Sequence, residues 1–186
     1  MHVWHSRFLA VLLGSGAYRY ADVASWVKGW SADDLRALDV IAAIVHLGVH
    51  WATAALDVRA RVLHYYDSYE GGDGEVDEDG AYGRMITERL RALLRWYGDV
   101  TAAKLGPGGA VDTRGWRIVR HHSSRVPQQA NTHDCGVFAL AFARCIAEGR
   151  TFDFGQADMR YLRRRLALTI EDAGIAAVAA SRSAKA

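Results

Sequence analysis

The chain holds a cysteine, a histidine and an aspartate that could serve as thiol nucleophile, base and orienting acid. Cys135 opens an apolar run that ends near Gly149, which predicts a buried helix with the thiol at its N-terminus. The positive end of the helix dipole favours the reactive thiolate at that position. Gln129, six residues upstream, can lend an amide N–H to a nearby oxyanion. This pattern indicates nucleophilic catalysis by a thiol.

The candidate base and acid, His50 and Asp67, are connected by two strand-like runs. Residues 52–58 and 61–66 flank a turn, which predicts an antiparallel hairpin with His50 at its entry and Asp67 at its exit. In that geometry the carboxylate can hold the imidazole in one tautomer. The chain has eight histidines, however, and a lone cysteine on an apolar helix is usually a core residue. Residue types alone therefore leave the triad open.

The remaining periodicity predicts the elements that must position these residues. Helices are expected at residues 6–14, 20–28, 31–38 and 84–97 and over Met159 to Ile170, and further strands at 40–45 and 116–120. The Arg163–Arg165 run in the last helix is interpreted as a solvated face. This mixture of predicted helices and strands indicates an α+β fold with one domain over residues 1–172. An Ala/Ser-rich tail, residues 173–186, is expected to fray.

Composition narrows the function classes. The chain has 186 residues, of which 51% are hydrophobic and 24% charged, as in ordinary soluble domains. The net charge of +2 gives no reason to expect binding to nucleic acid or a charged membrane surface. No apolar run approaches the ~20 residues of a membrane span, and the N-terminus lacks the basic region of a signal peptide. We expect a monomer with no nucleic-acid or membrane partner.

Cysteine usage indicates a reducing compartment. The two cysteines are Cys135 and Cys145. On one helix they would lie ~15 Å apart along the axis, beyond the reach of a disulfide. We therefore expect no internal disulfide and interpret Cys145 as a small core residue.

Two possible metal sites are disfavoured. The acidic loop 68–80 is interpreted as solvated, because a calcium loop starting at Glu75 would place Ile86 at the twelfth position, where a bidentate Glu is required. His46 and His50 have a spacing that suits a helix, but their segment is predicted as strand and loop, and no Glu follows His46. No metal site is expected.

Three separate segments resemble the SUMO-specific (Ulp/sentrin-type) cysteine proteases, and they occur in the family's order. The resemblance covers roughly Val3 to Asp172. The matching segments are His46-Leu47-Gly48-Val49-His50-Trp51, Tyr65-Tyr66-Asp67-Ser68, and Pro127-Gln128-Gln129 through Asp134-Cys135-Gly136.

The resemblance assigns a role to each matching residue. His50, Asp67 and Cys135 are the catalytic positions, and Gln129 is the oxyanion residue, with its neighbour Gln128 the weaker candidate. Trp51 would line a narrow tunnel for the Gly-Gly tail of the modifier. The implied fold is papain-like (adenain-like), with the nucleophile at a helix N-terminus.

The function implied is cleavage after the C-terminal Gly-Gly of SUMO or a SUMO-like modifier, in precursors or in SUMO-conjugated proteins. Such a thiol protease or isopeptidase needs no cofactor and would act in the nucleus or cytoplasm. The alternatives are a weakened homologue that only binds a SUMO-like protein, or a same-fold enzyme acting on NEDD8 or ubiquitin. The family's N-terminal portion, including a Trp-Leu-Asn-Asp stretch, has no match in this sequence, which bears on full activity.

Overall fold

A five-stranded mixed sheet forms the centre of the fold. The computed structural model describes residues 1–14, 16–69, 80–121 and 125–183, with side chains as far as residue 175. The outer strand pairs are parallel and the inner pairs antiparallel, which confirms the predicted α+β class. The strands follow chain order: β1 (His2–Trp4), β2 (Val40–His46), β3 (Trp51–Asp57), β4 (Val62–Tyr66) and β5 (Arg117–His121).

Six α-helices surround the sheet in the described part of the chain. Ser31 and Asp34 form the capping box that starts the third helix, and Gly149 ends the fifth in the left-handed conformation with φ 62°. The helices are α1 (Arg7–Leu13), α2 (Ala21–Ala24, continued by a 3₁₀ turn), α3 (Ala32–Arg36), α4 (Ala81–Leu105), α5 (Cys135–Glu148) and α6 (Met159–Ser183).

Helices cover both faces of the sheet. On one face, α1 and α4 enclose a core that includes Phe8, Leu90 and Trp96. On the other, α5 packs on β2 and β3, where Thr53 Oγ1 donates to the carbonyl of Ala139 at 2.7 Å. Double coverage explains why β2 is a continuous apolar run without alternation.

The β3–β4 hairpin has the geometry that the sequence predicts. Thr53 pairs with Tyr66 and Asp57 with Val62 in antiparallel register. The turn is closed by Asp57 Oδ1, which accepts the N–H of Ala60 at 2.7 Å. The residue before β3 and the residue after β4 therefore lie at the same end of the hairpin.

Two elements differ from the sequence prediction. Strand β1 has no counterpart among the predicted strands; it pairs with β2 through Val3 and Ala42. Helix α4 is longer than expected at both ends and runs through Gly98, where an added Cβ would lie 3.2 Å from the carbonyl oxygen of Val111. Close approach of the following loop thus explains a glycine that weakens the local helix signal.

Two predictions about loops and boundaries stay untested. Most of the acidic loop, including Glu75 of the candidate calcium loop, lies outside the described residues. The expected boundary at residue 172 and the fraying of the tail also stay predictions. Helix α6 continues through that boundary to Ser183.

Candidate active site

The hairpin brings His50 and Asp67 together. His50 immediately precedes β3 and Asp67 immediately follows β4. His50 Nε2 lies 2.6 Å from Asp67 Oδ1, and the residues are only 9% and 4% exposed. A proton on Nε2, donated to the carboxylate, leaves Nδ1 unprotonated, so this pair can supply an oriented general base.

Two further donors fix the Asp67 carboxylate. The hydroxyl of Tyr65 donates to Oδ2 at 2.7 Å, and the backbone N–H of Tyr69 donates to Oδ1 at 2.9 Å. Burial, together with the nearby Asp67 charge, raises the pKa of Tyr65 well above its ordinary value. Tyr65 therefore stays a neutral donor, and Asp67 is held in one orientation towards His50.

Cys135 is the first residue of α5 and is only 6% exposed. Its helix begins after Asp134, whose backbone carbonyl accepts the N–H groups of Val137 and Phe138 at 2.9 and 3.0 Å. The thiol thus lies at the positive end of a helix anchored to the sheet by Thr53. By contrast, burial raises the pKa of Cys145, so its thiol stays protonated within the core.

Gln129 and Gln128 both bind the chain segment that leaves β4. Gln129 is buried; its Oε1 accepts the hydroxyl of Ser68 at 2.8 Å, and its Nε2 donates to the carbonyl of Asn131 at 2.5 Å. Gln128 Nε2 donates to the carbonyl of Asp67 at 3.0 Å. Because the Gln129 amide carries two N–H bonds, one can serve Asn131 while the second serves a ligand.

Trp51 lies between the β2–β3 turn and the start of α5. Its ring packs against the ring of His46 at a tilt of 33°, with the ring centroids 4.2 Å apart. A Cβ placed on Gly136 would lie 3.7 Å from Trp51 Cδ1, within van der Waals contact. The indole is thus beside the residue that follows the thiol, where it can form one wall of a narrow channel.

Sequence reasoning missed several polar groups near the thiol. Burial raises the pKa of Tyr82 on α4, and the charges of Asp67 and Cys135 add to that shift. Arg163 lies on an exposed face of α6, as predicted, with 55% of its side chain accessible, but it also donates to Asp134 Oδ1 at 2.5 Å, a contact that was not predicted. Its partner is distant in sequence, and no local pattern signals the contact.

Two kinds of feature are absent from the described residues. No group of three or more His, Cys, Asp and Glu side chains lies close enough to hold a metal ion in the described ranges. Among the helices described, none has the length and apolar character needed to cross a bilayer.

Sequence comparison matches nearly the whole chain to one family. Residues 2–178 match the Ulp1 protease family, C-terminal catalytic domain. The chain is 29% identical over 173 residues to the ubiquitin-like-specific protease ESD4 of Arabidopsis thaliana, covering 91% of this chain and 31% of that protein. It is 28% identical over 166 residues to the human (Homo sapiens) sentrin-specific protease 5, covering 89% of this chain and 19% of that protein. The chain therefore spans less than half the length of these relatives.

Structure comparison gives the same fold. The yeast C-terminal Ulp1 protease domain in complex with Smt3, the yeast ortholog of SUMO, aligns with a TM-score of 0.63 and 22% identity, covering 87% of this chain and 63% of that one. The SUMO protease Ulp1 with its catalytic cysteine oxidised to a sulfenic acid aligns with a TM-score of 0.67 and 23% identity, covering 92% and 68%. The α+β fold of a Ulp1-type catalytic domain, which the sequence resemblance implies, is thus confirmed.

Proposed function

This chain belongs to the Ulp1 protease family, and from that premise we propose that it is a cysteine peptidase. Its proposed reaction is cleavage after the C-terminal Gly-Gly of a SUMO-like modifier. The observation that carries the proposal is the buried His50–Asp67 pair at 2.6 Å, in a chain whose helix α5 begins with Cys135. Binding alone requires neither an oriented imidazole nor a thiol at a helix N-terminus.

The proposed reaction proceeds through a thioester. His50 Nδ1 accepts the thiol proton, and the Cys135 thiolate attacks the carbonyl carbon of the terminal glycine. The resulting oxyanion accepts hydrogen bonds from the backbone N–H of Cys135 and from the Gln129 amide. The tetrahedral intermediate collapses as His50 protonates the leaving amine, and water then hydrolyses the thioester by the same base. No step requires a metal or cofactor.

A SUMO-like substrate is supported by the relatives and by the residues that match them. The relatives carry the names ubiquitin-like-specific and sentrin-specific protease, and the aligned Ulp1 domain is bound to Smt3. The segment from His46 to Trp51 and the Pro127-Gln128-Gln129 opening resemble the SUMO branch of the family more than the NEDD8 branch. A free-thiol nucleophile suits the reducing nucleus or cytoplasm.

Covalent labelling tests the proposed function. The purified chain is mixed with SUMO that carries a thiol-reactive group at its C-terminus, beside ubiquitin and NEDD8 probes. We expect a SUMO adduct that is lost in Cys135→Ser and retained in Cys145→Ala. Adducts with ubiquitin or NEDD8 alone would reassign the substrate. A folded chain that binds SUMO but forms no adduct would instead be a binding module.

Trp51 is proposed to select glycine at the cleavage site. An aromatic wall beside the thiol leaves room for a residue without a side chain and excludes a Cβ. We expect Trp51→Ala to lower kcat/KM for a Gly-Gly substrate by about tenfold. The ratio of kcat/KM for a Gly-Gly tail to that for a Gly-Ala tail should also decrease. Parallel assays with both tails check this. An unchanged ratio of kcat/KM for the two tails would show that Trp51 does not line the channel.

A further inference from the structure

Asp134 does not cap its own helix in the usual way. An aspartate at the N-cap position normally accepts the N–H of the second or third helical residue through its side chain. Within the described residues, the Asp134 carboxylate makes no such bond. It points instead to three side chains outside α5. Arg163 Nη2 donates to Oδ1 at 2.5 Å, and Asn131 Nδ2 and Gln156 Nε2 donate to Oδ2 at 2.7 and 2.9 Å.

We call these three donors the Asp134 clamp, and two of them join the nucleophile helix to α6 and the turn before it. Arg163 lies on α6, and Gln156 lies in the 3₁₀ turn that precedes it. Gln156 Oε1 also accepts the N–H of Ala130 at 2.7 Å, and Asn131 Oδ1 accepts the N–H of Asp134 at 3.0 Å. The clamp and these two bonds therefore fix Ala130, Asn131 and Asp134 in the connection between Gln129 and the thiol.

The clamped carboxylate stays charged. Its hydrogen bonds to Asn131, Gln156 and Arg163 lower the pKa of Asp134 to about 2, and its side chain is only 8% exposed. Without Arg163, Oδ2 would keep Asn131 and Gln156, but Oδ1 would have no side-chain donor among the described residues. A buried carboxylate oxygen without a donor is costly, so the group would turn towards other N–H groups. The donors beside it are the first N–H groups of its own helix.

One of those N–H groups is needed by the proposed reaction. Val137 and Phe138 already donate to the backbone carbonyl of Asp134, so a carboxylate in the capping position would face the N–H groups of Cys135 and Gly136. The proposed reaction uses the first of these, the N–H of Cys135, for the substrate oxyanion. A second anion beside the thiolate would also disfavour the nucleophile.

We propose that Arg163 is a positioning residue that holds the Asp134 carboxylate away from the N-terminus of α5 and so keeps the first N–H groups of that helix open to the oxyanion. The inference rests on the proposed function, because it assigns Cys135 as the nucleophile. Arg163 acts through Asp134 and does not touch the substrate.

The test compares Arg163→Ala, Arg163→Lys, Asp134→Ala and the double variant Asp134→Ala/Arg163→Ala, with Arg164→Ala as the matched control. Turnover of SUMO with a fluorogenic group after Gly-Gly gives kcat and KM. We expect Arg163→Ala to lower kcat about tenfold with KM changed less than twofold, since oxyanion contacts act in the transition state. Lysine should restore part of the loss, and Arg164→Ala should match the wild type.

The double variant distinguishes two roles for Arg163: restraining the Asp134 carboxylate, or only stabilising the fold around it. If Arg163 restrains the carboxylate, removing that carboxylate in Asp134→Ala/Arg163→Ala restores most of the lost kcat. A double variant no faster than Arg163→Ala, or an unchanged kcat in Arg163→Ala, overturns the proposal. Thermal denaturation of each variant confirms that folded protein is compared.

Iodoacetamide alkylation separates failure of this inference from failure of the proposed function. The alkylation rate of the Cys135 peptide at neutral pH, followed by mass spectrometry, needs no modifier substrate. We expect slower alkylation in Arg163→Ala and recovery in the double variant, even if the wild type cleaves no SUMO. Equal rates across the series would overturn the role of Arg163, whatever the substrate proves to be.

Discussion

The Asp67 carboxylate has three hydrogen-bond partners in the candidate site. Its oxygens accept hydrogen bonds from the imidazole of His50, the hydroxyl of Tyr65 and the backbone N–H of Tyr69. A carboxylate with these partners has one orientation, and it transmits that orientation to the imidazole. These three partners of Asp67 come from the β3–β4 hairpin and the residues directly before and after it.

Replacing the charge of Asp67 tests this arrangement. We expect Asp67→Asn to lower kcat by about 10²–10⁴, because an amide can hold the imidazole in the wrong tautomer and cannot stabilise the imidazolium. Tyr65→Phe is the matched comparison: it removes one donor, keeps the His50–Asp67 bond and should cost far less activity. Steady-state kinetics on folded variants check both. A rate in Asp67→Asn equal to that of the wild type would show that the orienting group is elsewhere.

At the scale of elements, the thiol is positioned by contacts between units that are remote in sequence. Thr53 ties β3 to α5, and Arg163 ties α6 to the residue before the thiol. The first contact holds α5 against the sheet. The second holds the loop that leads into α5. No local sequence pattern in either pair of elements predicts these contacts.

The pH dependence of stability reports the second contact. Hydrogen bonds lower the pKa of Asp134 from 3.8 to about 2 in the folded chain. A lowered carboxyl pKa stabilises the fold above the unfolded value, and that stabilisation is lost as pH falls through the window from about 4 to about 2. We expect the wild type to have a higher free energy of unfolding than Asp134→Asn above this window. That difference should decrease as pH falls through it. Urea titrations at successive pH values check the prediction; a constant difference would contradict it.

At the scale of the whole molecule, the N-terminal segment belongs to the main core. Trp4 is 5% exposed, stacks on Phe8 with ring centroids 4.5 Å apart, and meets the edge of Trp96. These contacts join β1, α1 and α4 on the face of the sheet opposite α5. The first strand is therefore part of the domain that carries the candidate site.

This placement predicts a stability effect without a catalytic one. We expect Trp4→Ala to lower the free energy of unfolding by about 3–5 kcal/mol, the usual cost of removing a buried aromatic side chain. Val3→Ala, on the same strand but 43% exposed, should cost far less. Denaturant unfolding gives the comparison. Equal effects of the two substitutions would show that Trp4 does not support the core.

Elements with local signals are predictable from the amino-acid sequence. The apolar run after Cys135, the turn at residues 57–61 and the capping box at Ser31 predict α5, the β3–β4 hairpin and α3. Period, turn chemistry and caps are encoded over a few neighbouring residues, which is why these predictions are confirmed. The hairpin pattern also indicates that His50 and Asp67 lie together, because it joins them through two short strands and one turn.

Contacts between distant elements depend on tertiary packing. Strand β1 is short and pairs with a strand far along the sequence, so its own three residues carry too little signal to predict it. Helix α4 passes through Gly98 because a loop packs on it, and Arg163 reaches Asp134 because α6 packs beside α5. Such contacts depend on how buried surfaces meet, which no local pattern records.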